Sequence, residues 1–184
     1  DGWSLGWHER DRGSASCLLR DDEVRSVLPL LGEPGAWRPA GVAQPALAGS
    51  YLLVTGAGAY LHNVSSDLAR CVGIIELNDA GDAYRVVWGL SGDGRASEEL
   101  PVLLACHATR GARVVYHAHT PALIALTTVL PLEDRVFTRI LWKSLGGCVA
   151  AIPEGVGVLA WGLLSDGGAA LAAADKMRRS EERR

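Results

Sequence analysis

The feature that most constrains this chain is a pair of β-branched runs joined by turn chemistry. Cys71-Val72-Gly73-Ile74-Ile75-Glu76-Leu77 and Tyr84-Arg85-Val86-Val87-Trp88 flank Asn78-Asp79-Ala80-Gly81-Asp82. Asn, Asp and Gly close turns through local side-chain bonds and left-handed backbone, so the two runs read as an antiparallel hairpin. A hairpin excludes the regular strand–helix alternation of a doubly wound parallel sheet. Further strands are expected at Ser50–Val54 and Arg113–His119. Helices are expected from Ser97 as cap to about Thr109, with Pro101 early enough to be tolerated, and over about 121–130, 134–145 and 167–178. Cys148–Trp161 reads as two short strands joined at Pro153-Glu154-Gly155. Gly13-Ser14 reads as a turn, and 32–50, with Pro34, Pro39 and Pro45, as an ordered connecting loop. Strands mixed with helices around a hairpin give a sandwich of the α/β or α+β class.

At 184 residues the chain is read as one domain, 1–184, with 48% hydrophobic residues, enough for a real core. Eighteen Lys+Arg against 21 Asp+Glu leave a net charge of −3, so no broad basic surface for nucleic acid is expected. No apolar run approaches the roughly 20 residues needed to span a bilayer. Asp1-Gly2-Trp3-Ser4 shows no basic-then-apolar leader, so a cytoplasmic location is expected. Cys17, Cys71, Cys106 and Cys148 are scattered, without a C-x-x-C pair, and read as small hydrophobes rather than disulfides or zinc ligands. The mixed-charge stretch 177–184 reads as a solvated helix end.

Three segments can carry chemistry. In Tyr116-His117-Ala118-His119-Thr120, strand alternation sends both imidazoles to one face, where they can grip one metal ion. The plainer reading of an isolated H-x-H is one core histidine and one exposed. Ser97-Glu98-Glu99-Leu100-Pro101 opens a helix, where a carboxylate feels the positive end of the dipole and, beside a metal, can shuttle a proton. Val54-Thr55-Gly56-Ala57-Gly58 follows a strand and exposes backbone N–H groups able to hold an anion. There is no G-x-G-x-x-G, no P-loop lysine and no G-x-S-x-G elbow.

Taken in order, these segments resemble the class II, zinc-dependent sugar-phosphate aldolases. The resemblance rests on Gly6-Trp7-His8-Glu9-Arg10, Val54-Thr55-Gly56-Ala57-Gly58 with Asn63-Val64, Trp88-Gly89-Leu90, and Ser97-Glu98-Glu99-Leu100-Pro101. It continues through His117-Ala118-His119-Thr120, Leu123-Ile124-Ala125-Leu126-Thr127, Val136-Phe137-Thr138-Arg139 with Leu141-Trp142, and Pro153-Glu154-Gly155-Val156-Gly157. It implies a three-layer α/β/α sandwich around a mixed central sheet. It also implies a homotetramer and reversible retro-aldol cleavage of a ketose 1-phosphate, L-rhamnulose 1-phosphate, to dihydroxyacetone phosphate and L-lactaldehyde. His117 and His119 fall on Zn²⁺ ligands, and Glu99 on the catalytic acid/base. Asp11, Gly13, Ser14, Ala57, Gly58, Ser97 and Glu98 fall on the substrate- and phosphate-binding segments. No Schiff-base lysine is required, which suits a chain whose two lysines are Lys143 and Lys176.

The same resemblance implies departures. Asp11 and Ser14 stand where the family has phosphate-binding Asn, Ala57 where it has Ser, Glu98 where it has a hydroxyl, and Gly147 where it has a second active-site Glu. Anions at 11 and 98 oppose a phosphate unless Arg10, Arg12 or Arg95 compensates. A third zinc-binding His, expected beyond the helix near Met177, is not among His8, His62 and His107, so a C-terminally truncated domain is expected. Two alternatives remain open. One is a diverged lyase, epimerase or dehydratase acting on another sugar or sugar phosphate. The other is a non-catalytic scaffold on the same fold.

Overall fold

The Asn78–Asp82 link does close a hairpin. Asn78 Oδ1 accepts from the backbone N–H groups of Asp82 (3.0 Å) and Ala83 (3.2 Å), and Gly81 takes the left-handed backbone with φ +68°. The structure is a computed structural model that describes residues 13–31, 33–91, 94–160 and 166–181. The expectations on His8, Arg10, Asp11 and Arg12 lie outside the described residues.

Six strands form one sheet: β1 (Gly13–Leu18), β2 (Arg38–Pro39), β3 (Tyr51–Thr55), β4 (Val72–Leu77), β5 (Ala83–Gly89) and β6 (Val114–Ala118). Their spatial order is β2-β5-β4-β3-β1-β6. The helices are α1 (Asp21–Val27), α2 (Leu68–Cys71), α3 (Leu100–Arg110), α4 (Pro121–Val129), α5 (Asp134–Ser144), α6 (Gly147–Ala151) and α7 (Gly167–Glu181). The expected sandwich of helices on a central sheet is the class found. The sheet differs from the expected mixed one in a detail: every ladder among the described strands is antiparallel. The reason is placement. β5, α3 and β6 form a crossover between strands of like direction, but β6 lands at the far edge beyond β1, which runs the other way. No two like-directed strands become neighbours.

Directly paired residues share a face. Ser16 and Leu18 of β1 therefore lie with Val54 and Leu52, and these with Ile75 and Leu77, on one side of the sheet. That side packs on α3 through Leu100 and Leu104, with Leu52, Ile75 and Leu104 fully buried. Burying each such side chain contributes about 2–3 kcal/mol. The outer side of α3 meets α7 through small residues, Ala105 and Cys106 against Ala170, Ala173 and Ala174, which let the helices approach closely.

Some local expectations are corrected. Gly13-Ser14 is not a turn but the start of β1, because β3 and β6 on either side supply its ladder partners. Cys148–Trp161 does not form two strands in its described part. Residues 147–151 are helical, with Ile152 N–H donating to Cys148 O at 2.8 Å. Beyond the Pro153–Gly155 turn, side chains of α5 take the donors a strand would need. Val156 N–H donates to Thr138 Oγ1 (3.0 Å) and Val158 N–H to Asp134 Oδ1 (2.8 Å). The helix at 97–109 starts later: Glu99 is its N-cap residue, and the Ser97 hydroxyl is engaged elsewhere. All four cysteines are free, with Cys71 and Cys106 buried and Cys17 and Cys148 half-buried. Among the described residues no helix is long and apolar enough to cross a membrane.

Candidate metal centre and active site

β1, β6 and the start of α3 converge at one end of the sheet. Ser14 pairs with His117 in the β1–β6 ladder, so both side chains lie on the α3 side. Gly13, the next position, has no room for a side chain: a Cβ there would meet His117 O and Leu61 Cδ1 at 3.0 Å. The tight pairing holds the backbone of His117 against β1.

His117 and His119 emerge together, as alternation requires. Their ring centroids lie 4.8 Å apart, edge to face. The structure adds a third donor that spacing alone does not reveal. Glu99, at the cap of α3, brings a carboxylate oxygen to within 4.8 Å of a nitrogen from each imidazole. His62 and His107 lie apart from this cluster. His62 sits on a 3₁₀ turn beside Tyr60, and His107 is buried in α3, its two ring nitrogens bonded to Ser16 Oγ and Ala112 O.

These donors fit a divalent cation of the zinc type. His117 Nδ1 is buried and has no hydrogen-bond partner, an orphaned acceptor or donor of a kind folded proteins rarely keep. Burial also holds the His117 imidazole below its ordinary pKa, partly offset by the Glu99 charge, so it stays in the neutral form that coordinates metals. Two imidazoles and one carboxylate are typical zinc donors.

Glu99 is itself tightly placed. Ser14 Oγ donates to its Oε2 at 2.7 Å, and the Ser97 hydroxyl lies against the same oxygen. The two hydroxyl oxygens are 2.6 Å apart, and both serines are buried. Burial pushes the Glu99 pKa up, but the hydroxyl bonds from Ser97 and Ser14 and the neighbouring His117 outweigh it, and the carboxyl is held below the usual carboxylate range.

The cluster opens into a cleft of about 360 Å³ lined by Gly13, Ser14, Gly58, Ser97, Glu98 and the three donors, with Gly56 and Ala59. Ala57 faces the neighbouring cavities across the glycine turn. Gly147, far along the chain, opens α6. Sequence reasoning named every described charged or polar residue of this cleft. It did not place the Glu99 carboxylate within 4.8 Å of both imidazoles, because that depends on where α3 starts relative to β6.

Comparisons with known proteins point the same way. The profile of the family described as "Class II Aldolase and Adducin N-terminal domain" matches residues 38–180. The chain is similar to rhamnulose-1-phosphate aldolase of Mannheimia succiniciproducens, 38% identical over 169 residues, covering 88% of this chain and 61% of that protein. It is similar to rhamnulose-1-phosphate aldolase of Escherichia coli (strain K12), 35% identical over 167 residues with the same coverage of 88% and 61%. The chain thus spans 61% of the length of these curated relatives. In fold it resembles a sugar-phosphate aldolase from Thermotoga maritima, with a TM-score of 0.68 and 18% identity, over 98% of this chain and 72% of that one. With the profile running from β2 through α7, the chain belongs to the class II aldolase and adducin N-terminal domain family.

Proposed function

We propose that this chain carries the active site of a zinc-dependent class II aldolase that cleaves L-rhamnulose 1-phosphate to dihydroxyacetone phosphate and L-lactaldehyde. The observation that carries this reading is the meeting of Glu99, His117 and His119 in one cleft. Two relatives above 30% identity are named for that reaction. A homotetramer in the cytoplasm is part of the same proposal, taken from the resemblance.

His117 and His119 would hold the cation. When bound, it supplies Lewis-acid stabilisation of the negative charge that carbon–carbon cleavage leaves on the ketose fragment. The protein's own part is proton transfer and positioning. Glu99, ionised at rest, would take up the hydroxyl proton released as the leaving aldehyde's carbonyl forms and pass it to the fragment's carbon in cleavage, with the reverse transfer in synthesis. Ser14 and Ser97 hold Oε2, and among the described residues no donor contacts Oε1, which is left for the substrate. Gly13, Ser14, Gly58, Ser97 and Glu98 line the path of the substrate, with Ala57 on the turn beside them; Asp11, outside the described residues, joins the substrate-binding set from the resemblance alone.

The glutamate at 98 favours a second reading, a related lyase, epimerase or dehydratase taking a different sugar, since its charge stands beside the place proposed for a phosphate. A substrate panel decides between them. Zinc-loaded protein is expected to release dihydroxyacetone phosphate from L-rhamnulose 1-phosphate and to lose this activity on chelation. Preference for an unphosphorylated ketose would reject the first reading in favour of the second.

A further inference from the structure

Thr55 ends β3 and is buried, 4% exposed, and it is not part of the lining of the triad cleft. Its side chain completes a pairing that the sheet leaves open. The β1–β3 ladder runs from Leu18 to Ser16 and stops there. The Thr55 hydroxyl takes over at the next residue: Ala15 N–H donates to Oγ1 at 3.1 Å, and Oγ1 donates to Ala15 O at 3.5 Å. The Ala15 N–H belongs to the peptide unit that begins at Ser14, and that unit is planar, so holding it fixes the backbone from which the Ser14 side chain leaves β1. β6 holds Ser14 from the other side through His117, but β6 is the edge strand. β3 is interior, and Thr55 itself is paired with Val72 of β4.

The main chain of the same residue reaches the second serine. Ser97 N–H donates to Thr55 O at 2.9 Å. The next residue continues the clasp, with Gly56 bridged antiparallel to Ala96. Ser14 and Ser97 stand 83 positions apart in the chain, and one residue of an interior strand ties down the backbone of both. Their hydroxyl oxygens then lie 2.6 Å from each other and close on Glu99 Oε2. Threonine suits this place. Its branched side chain is stiff and fits a strand, as a valine would, but its hydroxyl can accept and donate at once.

We propose that Thr55 is a positioning residue for Glu99. Its hydroxyl sets the peptide that carries Ser14, its carbonyl sets Ser97, and the two serine hydroxyls set the carboxylate beside the imidazoles of His117 and His119. Thr55 acts through the serines, since it bonds to the segments that carry them and lies outside the lining of the cleft. This deepens the proposed function and rests on its assignment of Glu99 as the proton carrier. Proton transfer is steep in distance and angle, and a misplacement of about 1 Å at a reacting group costs about 10²-fold in rate.

The test has one readout without metal or turnover and one with both. Thr55→Val removes the hydroxyl and keeps the branched shape. In metal-free protein the ¹³C resonance of the Glu99 carboxyl carbon, identified by its absence in Glu99→Gln, should leave its parent position in Thr55→Val, as in Ser14→Ala. Thr55→Ser, which keeps the hydroxyl, should restore it. Thr55→Ala reads the same shift where the valine chain does not fold. In zinc-loaded enzyme with L-rhamnulose 1-phosphate, kcat should fall about tenfold in Thr55→Val with KM unchanged, and recover in Thr55→Ser. The loss should vanish in a Ser14→Ala background, because both substitutions cut one path. A role in stability alone would give equal losses in the two backgrounds. Thr55 is excluded as a positioning residue if the Glu99 resonance stays in place in Thr55→Val and Thr55→Ala, or if the kcat losses add to those of Ser14→Ala. A resonance that moves while kcat holds keeps Thr55 in this role and rejects Glu99 as the proton carrier. Absence of turnover in the parent protein rejects the aldolase reading, and the resonance alone then decides for or against Thr55.

Discussion

Ser14 Oγ donates to Glu99 Oε2 at 2.7 Å across 85 positions of sequence. With Ser97 it stabilises the charged carboxylate and works against burial, so the group remains ionised to lower pH than an ordinary glutamate. Removing both hydroxyls, Ser14→Ala with Ser97→Ala, leaves burial unopposed by them and raises the pKa. The sign follows: a depressed carboxyl is charged above its folded pKa and loses that charge as pH falls. The acid limb of the pH–rate profile should therefore move to higher pH in the double variant. A limb that stays in place would remove these serines from the proton chemistry.

Glu99→Gln tests the acid/base role. The amide keeps the shape and can still accept from the serines, but it cannot carry the proton. Turnover should fall by about 10²–10⁴-fold, the usual scale of general acid–base catalysis. Metal content, read by atomic absorption, should persist. An unchanged rate would assign the proton to another group.

His117→Ala should abolish both zinc binding and activity. The imidazole supplies a buried, unpartnered nitrogen at the centre of the donor cluster. Equilibrium dialysis with zinc checks this directly, and retained zinc with full turnover would exclude His117 as a ligand.

His107 gives the fold a pH dependence separate from the site. Its side chain is 1% exposed. Its Nδ1–H donates to Ala112 O at 2.5 Å, and its Nε2 accepts from Ser16 Oγ at 2.7 Å. Burial lowers its pKa, against a smaller upward pull from the Ala112 carbonyl. The unfolded chain then binds the proton more readily below the ordinary histidine pKa of about 6.5. Stability from this group is present above that pH and is lost as pH falls below it. Urea midpoints at pH 8 and pH 5 should differ less in His107→Gln than in the parent protein.

Asp134 joins three segments. Its Oδ1 accepts from Val158 N–H at 2.8 Å, and its Oδ2 pairs with Lys176 Nζ on α7 at 2.9 Å. Asp134→Ala should cost about 1–2 kcal/mol, mostly through the stranded Val158 donor because the ion pair is partly solvated. Urea denaturation reads the loss. Lys176→Ala should cost less than Asp134→Ala; the reverse order would make the ion pair the larger contribution.

What the sequence alone determined is local. The hairpin at Asn78–Asp82 is written in turn residues that bond to their own neighbours. The shared face of His117 and His119 follows from the pleat of a single extended segment. The helices expected over about 121–130, 134–145 and 167–178 also stand close to those bounds. The tertiary structure decided whatever depends on which distant group reaches a given donor or acceptor. Gly13-Ser14 became a strand because β3 and β6 offered ladders on both sides. Residues 156–158 lost their strand because Thr138 and Asp134 took the backbone donors first. Glu99 came within 4.8 Å of the two imidazoles because α3 begins beside β6, a distance no spacing along the chain encodes. Backbone geometry is local, but satisfaction of polar groups is settled only when the chain has closed on itself.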